Sequence, residues 1–145
     1  MQGTPNKSVG FLTIAILMLG SLYLSAAEKP NVVIIFLDDS GYSDFSPFGK
    51  PPYKTPNVER LAESGVRLNR FHVPQAVCSA SRAALMSGCY PGRTKVFGAH
   101  GPGGRGLDTT FANLAEVLKR NGYATAHFGK WHIGECPGYY PEERG

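Results

Sequence analysis

The sequence predicts an α/β fold, a mostly parallel sheet flanked by helices, in one small domain or part of one. Three observations carry that prediction. The run Val32 to Leu37 in "NVVIIFLDD" is continuously apolar and β-branched, the pattern of a strand buried on both faces rather than of one with a wet side. Beyond it, segments with helical spacing alternate with short apolar segments, which gives βαβ units and parallel strands. The polar groups suited to chemistry then fall at predicted strand ends or at the start of a following helix, where such sheets hold ligands.

Residues 1–27 stand apart from this pattern. Lys7 precedes an apolar run, Phe11 to Leu24, and the small residues Ser25, Ala26 and Ala27 follow it. That is signal-peptide anatomy with cleavage after Ala27, leaving 28–145 as the exported chain, periplasmic or secreted. A membrane anchor is the alternative, and the run is shorter than the ~20 residues that a spanning helix needs. Without Lys7 the 15 basic residues fall to 14 against 11 acidic ones, a mild positive excess that suits an anionic substrate. No basic stripe or interleaving of basic and aromatic residues is present, which excludes nucleic acid as a partner.

The elements follow in order. The first strand, 32–37, ends on Asp38 and Asp39, and Gly41 permits the turn beyond them. A Gly/Pro-rich loop leads into a short helix with Thr55 as N-cap, Pro56 in the first turn, Val58 and Leu61 on one face and Gly65 as the stop. Val66 to Val73 reads as a second strand, closed by Pro74. Ser79 to Ser87 is a helix of good formers stopped by Gly88, and Cys78 stands immediately before it. Gly101, Gly103 and Gly106 spell G-x-G-x-x-G, but no strand leads into them, so the segment is a flexible loop and not a dinucleotide site; the loop from Phe97 to Gly106 is a candidate lining for a substrate cleft. "TTFANLAEVLKRNGY" is a helix capped by Thr109 or Thr110, with Phe111, Leu114, Val117 and Leu118 at helical spacing and Asn121-Gly122 as the stop. "YATAHF" is a third strand, with Lys130 and His132 in "GKWHIG" just beyond its end.

Three polar groups are therefore expected to converge. Adjacent strand residues point to opposite faces, so Asp38 and Asp39 can share one ion only where the strand ends and the backbone turns, and hard oxygen ligands suit Ca²⁺ or Mg²⁺. A simple turn with a capping aspartate is the plain alternative. Cys78 at a helix N-terminus is favoured as an anion or beside one, and Arg82, one turn on, can grip an oxyanion. The chemistry is either a thiolate nucleophile or a tetrahedral oxyanion site; a buried structural cysteine is the plain alternative. Lys130 and His132, two apart on an extended segment, face one side and bring a positive charge and a proton donor.

Cys78, Cys89 and Cys136 are an odd count for an exported chain, and the absence of C-x-x-C excludes a metal knuckle. If two of them pair, Cys89 with Cys136 is the expected pair, leaving Cys78 free; whether they pair the sequence leaves open.

These residues carry a resemblance. "CSASRAALMSG" resembles the sulfatase signature C-x-P/A-S-R-x-x-x-L/M-T/S-G, "GKWHIG" resembles that family's second signature, and "IIFLDDSGYSD" is similar to its N-terminal metal strand. The resemblance covers nearly the whole of 28–145 and implies the N-terminal part of an alkaline-phosphatase-like sulfatase domain. It implies that a formylglycine-generating or equivalent maturation enzyme oxidises Cys78 to formylglycine, whose hydrate attacks the sulfur of a sulfate ester. It also implies Ca²⁺ held by Asp38, Asp39 and the modified Cys78, with Mg²⁺ as the alternative. Arg82 would hold the hydrated aldehyde, Lys130 the sulfate and nucleophile, and His132 the nucleophile's other hydroxyl. A sulfated carbohydrate is the commonest substrate class, and no stable membrane association is expected after signal cleavage.

Ala80 stands where most members have proline, and Ser87 where threonine is common. The sequence ends at "PEERG", before the later metal ligands, lysine and histidine that such enzymes use, so a truncated, inactive and poorly stable piece is the expectation. The alternatives are a phosphate or phosphonate ester hydrolase on the same scaffold and a non-catalytic truncated product. A thiol phosphatase is excluded, since its loop needs arginine where Ala84 stands.

Overall fold

In the computed structural model the described residues are 29–145. The signal-peptide expectation lies outside them. The chain divides into two units, Met1–Phe36 and Leu37–Gly145. In the first, residues 29–36 form no regular element, and Val33 and Ile35 are left 82% and 78% exposed.

The second unit is built on four helices, α1 Pro56–Ser64, α2 Cys78–Ser87, α3 Pro91–Thr94 and α4 Leu114–Arg120, with 3₁₀ turns at Tyr42–Asp44 and Pro141–Glu143. The segment Cys78–Ser87 coils because it carries alanine, leucine and methionine with no β-branched residue, and it ends where Gly88 takes the left-handed conformation (φ 66°) and returns its N–H to Ala84 O at 2.8 Å. Helix α2 packs on both α3 and α4. Its Ala83 meets Val96, Leu107 and Ile133 in the core, with Met86, Phe111 and Trp131 packed around them.

The expected sheet is not formed among the described residues. Residues 32–37 and 123–128 form no regular element, 66–73 is interrupted by a turn at residues 69 and 70, and none of the three segments enters a ladder. An isolated strand leaves its N–H and C=O groups unpaired and buries neither face, so Val66, Phe71 and Phe128 stay at the surface, Phe128 91% exposed.

Two helix starts differ from expectation. Thr55 stands at the N-cap of α1, but its hydroxyl makes no cap bond; Oγ1 accepts from Ser46 N at 3.0 Å and pairs with Ser46 Oγ at 3.0 Å, pinning the preceding loop. Helix α4 begins later than Thr109 or Thr110, at a capping box in which Asn113 Oδ1 accepts from Glu116 N (3.1 Å) and Glu116 Oε2 accepts from Asn113 N (3.0 Å). Asp108 takes Thr110 away from the helix by accepting from both its N–H and its hydroxyl, at 2.9 and 2.7 Å, so Phe111 falls in the preceding turn.

The glycine-rich loop is hydrogen-bonded to a distant segment. Leu107 N donates to Ile133 O and Glu135 N to Gly104 O, both at 3.0 Å, clamping the loop along "WHIGE". A Cβ on Gly106 would lie 1.9 Å from Ile133 C and O, which explains glycine there by close backbone approach. The expected Cys89–Cys136 disulfide is absent and all three cysteines are free thiols: Cys89 follows the α2 cap, donating its N–H to Ser87 Oγ, while Cys136 is held in the turn that Tyr139 N closes on its carbonyl.

Candidate functional site

Cys78 is the first residue of α2, one place earlier than the sequence predicts, preceded by Val77 in extended backbone. It is half-buried, and its carbonyl accepts from Ser81 Oγ at 3.1 Å. Arg82 lies one turn on with its side chain 12% exposed. Its Nη1 donates to Lys130 O at 2.7 Å and its Nη2 to Asp38 Oδ1 at 3.2 Å. Lys130 Nζ donates to the other carboxylate oxygen, Asp38 Oδ2, at 2.8 Å. Three groups that are distant in the chain thus meet.

The charges support one another. The Lys130 hydrogen bond, and then that of Arg82, hold the Asp38 carboxyl below the usual aspartate value, outweighing a small opposing effect of burial. Asp38 in turn raises Lys130 above the usual lysine value, and Cys78 adds a smaller push in the same direction. Asp38 and Lys130 are 41% and 42% exposed, so water screens the pair. Two cations around one carboxylate leave a net positive charge at the Cys78 end of the helix.

His132 is left-handed (φ 58°), so it does not continue the alternation of an extended segment. The His132 imidazole turns instead to His100, with Nε2 2.9 Å from the His100 carbonyl oxygen. The sharp turn after Asp38 falls at Asp39 (φ 53°), while Gly41 keeps an ordinary extended φ of −122°. Asp39 stays exposed at the surface.

A cation site fares differently. Carboxylates are the right donors for Ca²⁺, which takes about six to eight oxygens. Among the described residues, however, no three His, Cys, Asp or Glu side chains are grouped to share an ion, and both Asp38 oxygens already serve Arg82 and Lys130. Asp38 and Asp39 alone supply too few oxygens to complete such a shell, and no step below passes through a cation.

Sequence reasoning missed Ser79 and His100. Ser79 Oγ, fully buried beside Cys78, accepts from His100 N at 3.0 Å. His100 acts here through its backbone, for which no side-chain pattern could give a signal.

A family model described as Sulfatase matches residues 30–137, most of the chain, and that span contains Asp38, Asp39, Cys78, Arg82, Lys130 and His132. The chain belongs to the sulfatase family. Sulfatases known from other organisms are similar to it: arylsulfatase A of Bos taurus is 45% identical over 116 residues, 79% of this chain and 23% of the relative. Arylsulfatase A of Homo sapiens is 44% identical over 116 residues, again 79% and 23%. N-acetylgalactosamine-6-sulfatase of Rattus norvegicus is 35% identical over 136 residues, 88% of this chain and 26% of the relative. The chain thus spans about a quarter of the length of these sulfatases. Membership brings the family's α/β fold class, and no helix among the described residues is long and apolar enough to cross a membrane.

Proposed function

We propose that the chain carries the nucleophile end of a sulfuric ester hydrolase site. The observation that carries this reading is the Asp38 carboxylate clamped between Arg82 and Lys130 at the end of α2 that Cys78 opens. Arg82 is fixed from two sides, by Asp38 and by the Lys130 carbonyl, so its position is set before any substrate arrives. Lys130 spends one donor on Asp38 and keeps two that can turn to a sulfate oxygen. The helix N-terminus adds backbone N–H dipoles that attract the same oxyanion. Asp38 orders the two cations and prevents their mutual repulsion from splaying the site.

Maturation of Cys78 to formylglycine by a separate enzyme would supply an aldehyde hydrate as nucleophile, which a serine could not replace. His132 serves that hydrate's other hydroxyl. The substrate is a sulfate ester, and the similarity to an N-acetylgalactosamine-6-sulfatase supports a sulfated carbohydrate. The reading includes export with cleavage after Ala27, and residues 32–37, 66–73 and 123–128 as strands of the parallel sheet.

The test uses inorganic sulfate as probe on the full chain with Cys78 as thiol. Sulfate should slow alkylation of Cys78 relative to chloride at matched ionic strength, and Lys130→Ala should remove the protection. Equal alkylation rates in sulfate and chloride would overturn the reading of this end of α2 as an oxyanion site.

A further inference from the structure

His132 and His100 hold an arrangement that the cluster around Cys78 leaves unexplained. His132 Nε2 lies 2.9 Å from the His100 carbonyl oxygen. A carbonyl can only accept, so Nε2 must carry the hydrogen. In the neutral ring Nδ1 is then the lone-pair nitrogen, and it is buried with no hydrogen-bond partner among the described residues. A buried polar atom left unsatisfied calls for a reason, and a ring nitrogen reserved for a reacting group is one.

The carbonyl that selects this tautomer is itself anchored. His100 N donates to Ser79 Oγ at 3.0 Å, and Ser79 is fully buried in α2 next to Cys78. The other end of the same loop is fixed beside His132 by the bonds from Leu107 N to Ile133 O and from Glu135 N to Gly104 O. His132 sits between these ties in a left-handed backbone conformation (φ 58°), an arrangement that persists only where the surroundings enforce it. The loop thus links the residue beside the nucleophile position to the ring of His132 through one residue, His100.

We infer that His100 is a positioning residue: held by Ser79, its main-chain carbonyl locks His132 in the Nε2–H tautomer and reserves Nδ1 as the acceptor. This rests on the reading that places His132 in the sulfatase site. The serine beside the nucleophile position would then orient the histidine that serves the nucleophile.

The experiment is ¹⁵N spectroscopy of the histidine rings in the full chain, at a pH where they are neutral, with His132 assigned by comparison with His132→Asn. The expected result is a single tautomer with Nε2 protonated and Nδ1 bare. Ser79→Ala should move the two His132 nitrogen shifts toward their average, and Ser79→Thr, which keeps the hydroxyl, should restore them. A wild-type ring protonated at Nδ1 would overturn the inference even if Ser79→Ala does not fold, and a folded Ser79→Ala chain with unchanged shifts would overturn it as well. The readout needs neither converted Cys78 nor sulfate, so failure of the sulfate protection test leaves it separately decided.

Discussion

Lys130 Nζ donates to Asp38 Oδ2 across 2.8 Å, joining two positions 92 residues apart in the chain. The contact gives a pH signature. Asp38 is depressed, so its contribution is fully present above the usual aspartate value of 3.8 and is lost as pH falls through its lower folded value. Lys130 is raised, so its contribution is fully present below 10.5 and is lost as pH rises through its higher folded value. Between these limits the clamp is intact. Lys130→Met should raise the Asp38 carboxyl toward its ordinary value, read by ¹³C titration of the carboxyl; an unchanged titration would show that the ammonium does not hold it.

The cap of α4 gives a second expectation. Asn113 is fully buried, caps Glu116 N and donates through Nδ2 to Arg144 O at 2.8 Å. Asn113→Ala should cost at least the ~1 kcal/mol of a lost N-cap, whereas Thr109→Ala, outside the capping box, should cost less. Chemical denaturation of the two variants checks the order.

Gly106→Ala should destabilise by roughly 1–3 kcal/mol, the usual cost of forcing atoms into a packed region, because its Cβ would sit 1.9 Å from the Ile133 carbonyl. The denaturation midpoint should fall, and amide exchange of Leu107 and Glu135 should accelerate together, since both N–H groups bridge the two segments.

Arg144 is the most heavily bonded buried charge among the described residues. Its side chain, 4% exposed, pairs with Glu116 Oε1 at 2.7 Å and donates to the carbonyls of Leu107 and Phe111 at 2.9 and 3.0 Å. Arg144→Met takes the cation from Glu116 Oε1 and the Arg144 donors from two carbonyls, and should cost about 3–5 kcal/mol in the same assay.

The helices were largely legible in the sequence because their signals are local. Pro56, Gly65, Gly88 and Asn121-Gly122 bound their helices as read. The α4 start was misread because Asp108 competes for Thr110, and only the fold reveals which capping residue wins. The strand signals at 32–37, 66–73 and 123–128 correspond to no ladder among the described residues, because pairing depends on partners that a sequence run does not contain. At the site, the residue types at 38, 82 and 130 predicted a meeting of charges that the geometry shows. The positions of His132 and Asp39 were not legible, since left-handed backbone at a non-glycine residue leaves no pattern. Nor was His100, whose role belongs to its carbonyl.

Peptide mass spectrometry across Cys78, on the full chain produced together with a formylglycine-generating enzyme, tests the central claim most directly. The account predicts that the peptide containing "VCSASR" loses the mass separating a thiol side chain from an aldehyde, and that Cys78→Ser shows no such loss. A peptide that keeps its thiol mass while a known substrate of the same maturation enzyme is converted alongside it would contradict the account.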